Sequence, residues 1–490
     1  MTGSVGVPAT GARDAAAARG LRRVMGNGLA LLGAYVIPRL FTAAAIVIAA
    51  RALGAADFGA WGTAAAFAVI LSVVSTLGMQ PLLVREMARD PGRAAHWLRS
   101  AHVAKAISGT LMLAALLFAG GVLLQYPPPV LGAAMLLGLA YAVGSFAENL
   151  SAWFQAVERM HVWTQASALY GIVTGLLGAV LVILTHSVVW FCAAPVAGQL
   201  AAVGWLALRL PRHARSGRIE GVALARLLRE LWPFAAAFVA LAAFSKADVL
   251  LLERWRTAAE VGSYAAAYKF IDISQALGTV AAAAVYPRLS REAKGTAGTR
   301  LIELAILVAI PAAGFLFLAR ETIVLLLFGG GYGAAVAVVA PLAAAVPALG
   351  VAIVGGYVLA AAGEMRRVAA LYGLLLAVKL GLNAWLVPAH GAVGAGAAML
   401  VSEILLASGM LALLAPRSAV IGRRVGLGAL AGAAAWALAA LAPGDAVALR
   451  VAAFLAATVG GYALAGAVPA ADRAILIEAL RGSGRTRAPR

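Results

Sequence analysis

"RALGAADFGAW", Arg51 to Trp61, closes the first long apolar run, and "RWRTAAEVGSY", Arg254 to Tyr264, follows another apolar run in the second half of the chain. Sliding the sequence by 203 positions aligns Arg51 with Arg254, Ala55 and Ala56 with Ala258 and Ala259, Asp57 with Glu260, Gly59 with Gly262 and Trp61 with Tyr264. The match continues at Phe67 with Phe270, Ile70 with Ile273 and Thr76 with Thr279. Alanine matches carry little weight in so alanine-rich a chain. The charged, glycine and aromatic matches point to a duplicated half.

Of 490 residues, 63% are hydrophobic and 12% charged, against about 45–50% and about 25% in a soluble domain. The long apolar runs each approach the roughly 20 residues that an α-helix needs to cross about 30 Å of hydrocarbon. Only helices or a closed barrel satisfy their backbone in lipid, and runs of this length are helices. The sequence therefore predicts an all-α integral membrane protein of about fourteen transmembrane helices.

With Pro, Gly and charged residues as boundaries, six spans fall at 28–50, 59–82, 101–125, 130–152, 165–185 and 188–208. After a basic linker at 209–230, six more fall at 231–252, 262–287, 301–328, 332–361, 368–387 and 393–414. Two further spans fall at 425–441 and 446–465. The organisation is an N-tail at 1–27, an N-lobe at 28–208, the linker, a C-lobe at 231–414, two extra helices within 425–465 and a C-tail at 466–490.

On this map about 29 of the 39 Lys and Arg fall in the tails and the loops on their side, about 3 in loops on the other side and about 7 within spans. Both termini are thus expected in the cytoplasm, and both tails are expected to be disordered. The net charge of +19 is topological: no basic domain with interleaved aromatics stands outside the spans, which argues against nucleic acid. "LRRVMGNGLALLG" reads as an uncleaved first helix, because Pro38 and Arg39 interrupt any signal core. Cys192, the only cysteine, excludes an intramolecular disulfide and a cysteine metal cluster. No Walker A or HExxH motif occurs, the six histidines lack metal spacing, and neither a catalytic residue nor a metal is expected.

Both copies of the repeated phrase lie between the first and second span of a six-helix group, facing outside. Six spans per repeat leave the halves in the same orientation, as in transporters built from parallel repeats. The phrase would then form the outer hairpin of each lobe.

A charge at membrane depth costs about 2.5–3.5 kcal/mol on insertion scales, so it generally faces a bundle interior or a wet cavity. Those charges are Arg39, Lys246, Lys269 and Lys379, with Glu148, Asp248, Asp272 and Glu403. Lys105, Glu303, Arg320 and Arg450 lie toward span ends, where snorkelling explains them. Along the eighth span Tyr264, Tyr268, Asp272, Gln275 and Thr279 form one stripe with Lys269 at its edge. The stripe either lines a cavity or is a hydrogen-bonded seam in which Lys269 and Asp272 neutralise each other at i,i+3. Arg39 and Lys246 lie in the first helices of the two lobes, where a central cleft would form.

"RALGAADFGAWGTAAAFAVILSVVSTLGMQPLLVREMARDP", "SAWFQAVERM", "LWPFAAAFVALAAFSKADVLLLERW", "VGSYAAAYKFIDISQALGTVAAAAVYPRLSRE", "LLLFGGGYGAA" and "GAVGAGAAMLVSE" resemble, in order, the polysaccharide transporter (Wzx-like) family. That family belongs to the multidrug, oligosaccharidyl-lipid and polysaccharide exporter superfamily. The resemblance implies two MATE-like lobes and a flippase for undecaprenyl diphosphate-linked oligosaccharides in the bacterial plasma membrane, serving O-antigen lipopolysaccharide, capsule or exopolysaccharide. Its partners would be that lipid-linked oligosaccharide, membrane lipids and the polymerase or export machinery. The two extra helices depart from a minimal twelve-helix member, and fourteen is the number associated with lipid II flippases of the same superfamily.

For such a headgroup, Arg39, Lys246 and Lys269, with Lys379, are the expected binding cations, Arg as a bidentate fork and Lys as a point charge. Arg51 and Arg254 are either an outer gate or solvated loop charges. Asp248, Asp272, Glu148 and Glu403 either bind H⁺ or Na⁺ as a coupling ion or balance the cations. A membrane glycosyltransferase or O-antigen ligase would need a large outer loop, and all outer loops here are short. A cation-coupled drug exporter would favour a cavity dominated by carboxylates, and a scaffold would need no intramembrane charge.

Overall fold

The computed structural model describes residues 10–76, 78–219, 221–291, 297–414, 435 and 447–464, and every element among them is helical. Eight helical stretches among these residues are long and apolar enough to cross a membrane. Two of the elements each take in a pair of expected spans. Helix α1 (Thr10–Thr76) breaks at Gly54, with φ 74°, between the first span and the second. Helix α12 (Met365–Leu413) breaks at Gly391, with φ 57°, between the eleventh and twelfth. A positive φ is nearly free for glycine and costly for residues with a Cβ, so one glycine does the work expected of a loop. Helix α1 also begins at Thr10, inside the segment read as a tail, where "RDAAAARGLRR" is rich in strong helix formers.

Beyond Gly78, helix α2 (Met79–Arg89) buries Met79, Leu83 and Met87 at helical spacing and exposes Arg85 and Arg89. Helices α3 (Ala94–Phe118), α4 (Pro128–Ala156), α5 (Met160–Thr185) and α6 (Val188–Arg209) follow, then the short α7 (Arg212–Arg215). Helix α4 packs on α2, α3 and α6, and α5 on α6. Their shared core includes Trp97, Leu150, Trp153, Phe154 and Leu206. Arg215 closes the end of α6, donating from Nε to the Leu210 carbonyl at 3.0 Å.

The second half holds α8 (Gly221–Trp255), α9 (Ala258–Arg291), α10 (Ala297–Phe328), α11 (Gly333–Ala361) and α12, with α13 (Val447–Leu464) beyond. Helix α11 lies against α9, α10 and α12, and α13 against α10. Helix α13 coincides with the expected span at 446–465. The span expected at 425–441 and the C-tail lie outside the described residues, Ala435 excepted.

Two compact units divide the chain, Met1–Leu53 with Phe67–Ala236, and Gly54–Ala66 with Ala237–Arg490. The start of the second span therefore packs within the second unit, and the repeated phrase explains why. A Cβ on Gly59 would fall on the carbonyl oxygen of Ala258, and one on Gly262 would fall on that of Ala55. Ala55 and Ala258, like Gly59 and Gly262, are equivalent positions of the repeat. The two copies thus cross each other face to face, as a self-complementary contact must. Without a hydrophobic drive between helices in lipid, small residues that let backbones touch supply the packing energy.

Equivalent positions Gly62 and Ala265 continue the crossing, a Cβ on Gly62 lying 3.0 Å from that of Ala265. A small relaxation brings such a pair to the ~3.8 Å Cβ separation of a disulfide. Gly62→Cys with Ala265→Cys is expected to crosslink under mild oxidant, read by mass spectrometry after proteolysis. Buried Cys192 supplies no competing thiol. Absence of the crosslink would contradict the crossing.

Candidate functional site

Six charged side chains of the second unit, Lys246, Lys269, Asp272, Lys379, Asp248 and Glu403, fall into two layers. In the outer layer, Lys246 of α8 and Lys269 of α9 converge on Asp272, one turn along α9 from Lys269. The ammonium of Lys246 lies 3.4 Å from Asp272 Oδ1, and that of Lys269 2.5 Å from Oδ2. Side-chain exposures of 19%, 23% and 33% for Lys246, Lys269 and Asp272 leave all three partly exposed. Aromatic faces hold the lysines from behind: Lys246 lies 4.1 Å from the Tyr268 ring centroid and Lys269 5.0 Å from that of Trp61. The i,i+3 pair that the sequence offered as a seam is present, with Lys246 as a third member.

The inner layer is dry. Lys379 of α12 is wholly buried and donates to the Phe244 carbonyl at 2.7 Å. Its ammonium lies 3.5 Å from Asp248 Oδ2, which also accepts the Tyr264 hydroxyl. Asp248 Oδ1 accepts the Val249 amide at 3.1 Å. Tyr268 donates to the Ser245 carbonyl at 2.9 Å. Glu403 is 4% exposed in the same layer.

The polar stripe of α9 thus changes along its length: Tyr264 and Tyr268 are buried, Asp272 and Gln275 half-buried, and Thr279 exposed. Its first turns seal the inner layer while its later turns open. Of the four cations selected from the sequence, Lys246 and Lys269 meet at one carboxylate, and Lys379 backs them from a buried position. Arg39, exposed, belongs to the first unit. Arg51 and Arg254, at equivalent positions of the repeat, are both exposed.

A third cluster lies in the first unit. Lys105, expected to snorkel, is instead fully buried. It donates at 2.6 Å to the carbonyl of Thr76, the last residue of α1, and at 3.2 Å to Glu148 Oε2. It thereby satisfies a helix C-terminus, where carbonyls are orphaned and the dipole favours a cation. Nothing in the sequence signals this, because the partners come from three helices that meet only in the fold.

A net positive, partly open pair of ammonium groups around one carboxylate suits an anion that can share or replace that carboxylate. Charge-assisted hydrogen bonds from both lysines would take over part of the hydration that a phosphate loses. Among the described residues no group of His, Cys, Asp and Glu is arranged to hold a metal ion.

Removing one partner of a buried ion pair leaves an uncompensated charge costing about 3–5 kcal/mol, whereas replacing both by apolar groups is often neutral. Lys379→Met is therefore expected to lower stability in detergent by about that amount. The double variant Lys379→Met with Asp248→Asn is expected to recover most of the loss, read by thermal unfolding. A second comparison isolates Lys105: Lys105→Met strips a hydrogen bond from Thr76, at about 1–3 kcal/mol in the same assay.

Known structures share this architecture. A lipid II flippase, MurJ, in an inward closed conformation superposes with a TM-score of 0.71 at 11% identity, over 89% of this chain and 98% of that one. An inward-facing multidrug resistance MATE transporter of the MOP superfamily gives 0.59 at 17% identity, over 80% and 98%. A MOP superfamily transporter from Pyrococcus furiosus gives 0.55 at 14% identity, over 80% and 94%. At these identities the likeness is one of fold. No curated protein matches the sequence. The profile of the family described as "Polysaccharide biosynthesis protein" matches residues 24–292, more than half of the chain, and the chain belongs to that family.

Proposed function

We propose that this protein is a transporter, a flippase that carries a polyprenyl diphosphate-linked oligosaccharide across the bacterial plasma membrane by alternating access, with both termini in the cytoplasm. The single observation that carries the reading is the half-open Lys246–Asp272–Lys269 cluster. A diphosphate headgroup is the part of such a substrate that loses most on leaving water, and paired ammonium groups offset that loss. Membership of a polysaccharide biosynthesis family supports a glycan cargo. The fold likeness to a protein titled a lipid II flippase supports a lipid carrier.

In this reading Lys246 and Lys269 bind the headgroup, Lys379 sustains the field behind them, and Arg39 is a separate candidate cation on the first unit. Tyr264, Tyr268, Gln275 and Thr279 shape the wall, and Arg51 and Arg254 act at the outer openings. Of the acids, Glu148, Asp248 and Asp272 each lie beside a lysine, as charge-balancing groups do. O-antigen, capsule and exopolysaccharide precursors all present the required diphosphate. Organic cations, the cargo of a drug exporter, would be repelled by the lysine pair.

Reconstitution in liposomes with labelled lipid-linked oligosaccharide tests the proposal. Each charge-assisted hydrogen bond contributes about 1.5–3 kcal/mol, so Lys246→Ala or Lys269→Ala is expected to slow transbilayer movement about 10–100-fold. Arg39→Ala is expected to act in the same direction. Wild-type rates in all three variants would remove the proposed headgroup site.

A further inference from the structure

Glu403 differs from the other two acids of the charge layers. Asp248 has both oxygens occupied, by the Val249 amide, the Tyr264 hydroxyl and Lys379. Asp272 has one lysine on each oxygen. Glu403 is 4% exposed, and its Oε2 meets no hydrogen-bond partner.

Lys379 and Glu403 each stand twelve positions from the Gly391 break in α12, one before it and one after, and so reach a similar level. The charges that bear on Glu403 are Lys379 and Asp248. Tyr268 and Tyr372 are the titratable groups that feel it in turn. No described residue forms an ion pair with it. Three ammonium groups and two fully occupied carboxylates leave the unit's two layers one positive charge in excess. Glu403 decides whether that excess persists: ionised, it cancels the charge; protonated, it leaves the charge available.

We propose that Glu403 is the proton-exchanging group of the second unit, protonated while an anion occupies Lys246 and Lys269 and deprotonated to solvent when the lysines return to Asp272 alone. An ionised Glu403 and a bound diphosphate are like charges in a poorly screened interior, so each disfavours the other. The coupling is reciprocal: the anion draws a proton onto Glu403, and acidification strengthens anion binding. The inference rests on the lysine pair as an anion site. It adds a specific coupling ion, H⁺, and a specific carrier, and it leaves Asp248 and Asp272 as fixed counter-charges.

Two measurements test it separately. The first needs no ligand: infrared difference spectra between acid and alkaline buffer, on the full chain in lipid nanodiscs. A carboxylic acid carbonyl band is expected in wild type, lost in Glu403→Gln and retained in Glu403→Asp. Survival of every wild-type band in Glu403→Gln would overturn the assignment, and the Asp variant separates loss of the carboxyl from loss of folding.

The second is calorimetric binding of farnesyl diphosphate across the neutral pH range. One linked proton makes wild-type affinity fall with rising pH by up to about tenfold per pH unit more steeply than in Glu403→Gln, the ligand's own titration cancelling between the two proteins. Superimposable pH profiles would overturn the linkage. Absence of wild-type binding at every pH would instead overturn the anion site and with it the linkage, while the infrared band still decides whether Glu403 exchanges a proton.

Discussion

Lys379 and Asp248 are both removed from solvent, so each has to find its polar partners within the chain. Three helices have to meet for them: α8 brings Asp248 and the Phe244 carbonyl, α9 brings the Tyr264 hydroxyl, and α12 brings the ammonium. An ion pair alone would not repay the desolvation of both groups, and it is the added hydrogen bonds from Tyr264, to Phe244 and from Val249 that make the arrangement tolerable. Once these helices are held at this level, the next turn of α9 places Lys269 and Asp272 beside Lys246. The open cluster is a consequence of the closed one.

The first unit meets the same constraint with a different device. Its buried lysine caps a helix end, so that the break after Thr76 is stabilised by a cation from α3 and balanced by Glu148 from α4. The two units therefore do not share their charge chemistry. Duplication survives where backbones touch, in the crossing of Gly59 with Gly262, because a side chain larger than hydrogen has no room there. Elsewhere the two copies are free to diverge.

The sequence makes the polar stripe of α9 legible, because five polar residues at helical spacing in an otherwise apolar run stand out whatever their environment. It separated open from closed positions less well. Tyr264 and Thr279 belong to one stripe, yet one is wholly buried and the other exposed, since the packing around the helix thins along its own axis. Lys105 shows the opposite difficulty. Near the end of an apolar run, snorkelling is the simplest expectation, and only the meeting of α1, α3 and α4 puts acceptors close enough to keep its ammonium inside.

Composition and period alone determined that the chain is helical, that it spans a membrane many times, that its charge lies mostly between spans and that a phrase recurs. All four depend on local composition and spacing, which hydrocarbon thickness and backbone hydrogen bonding translate directly into structure. Tertiary structure alone decided which acid answers which lysine, with 43 positions between Lys105 and Glu148 and 135 between Lys379 and the Phe244 carbonyl. It also decided that the two repeated phrases lie against each other. Pairings over such separations depend on which helix faces touch, and a single helix's sequence does not encode the identity of its neighbour.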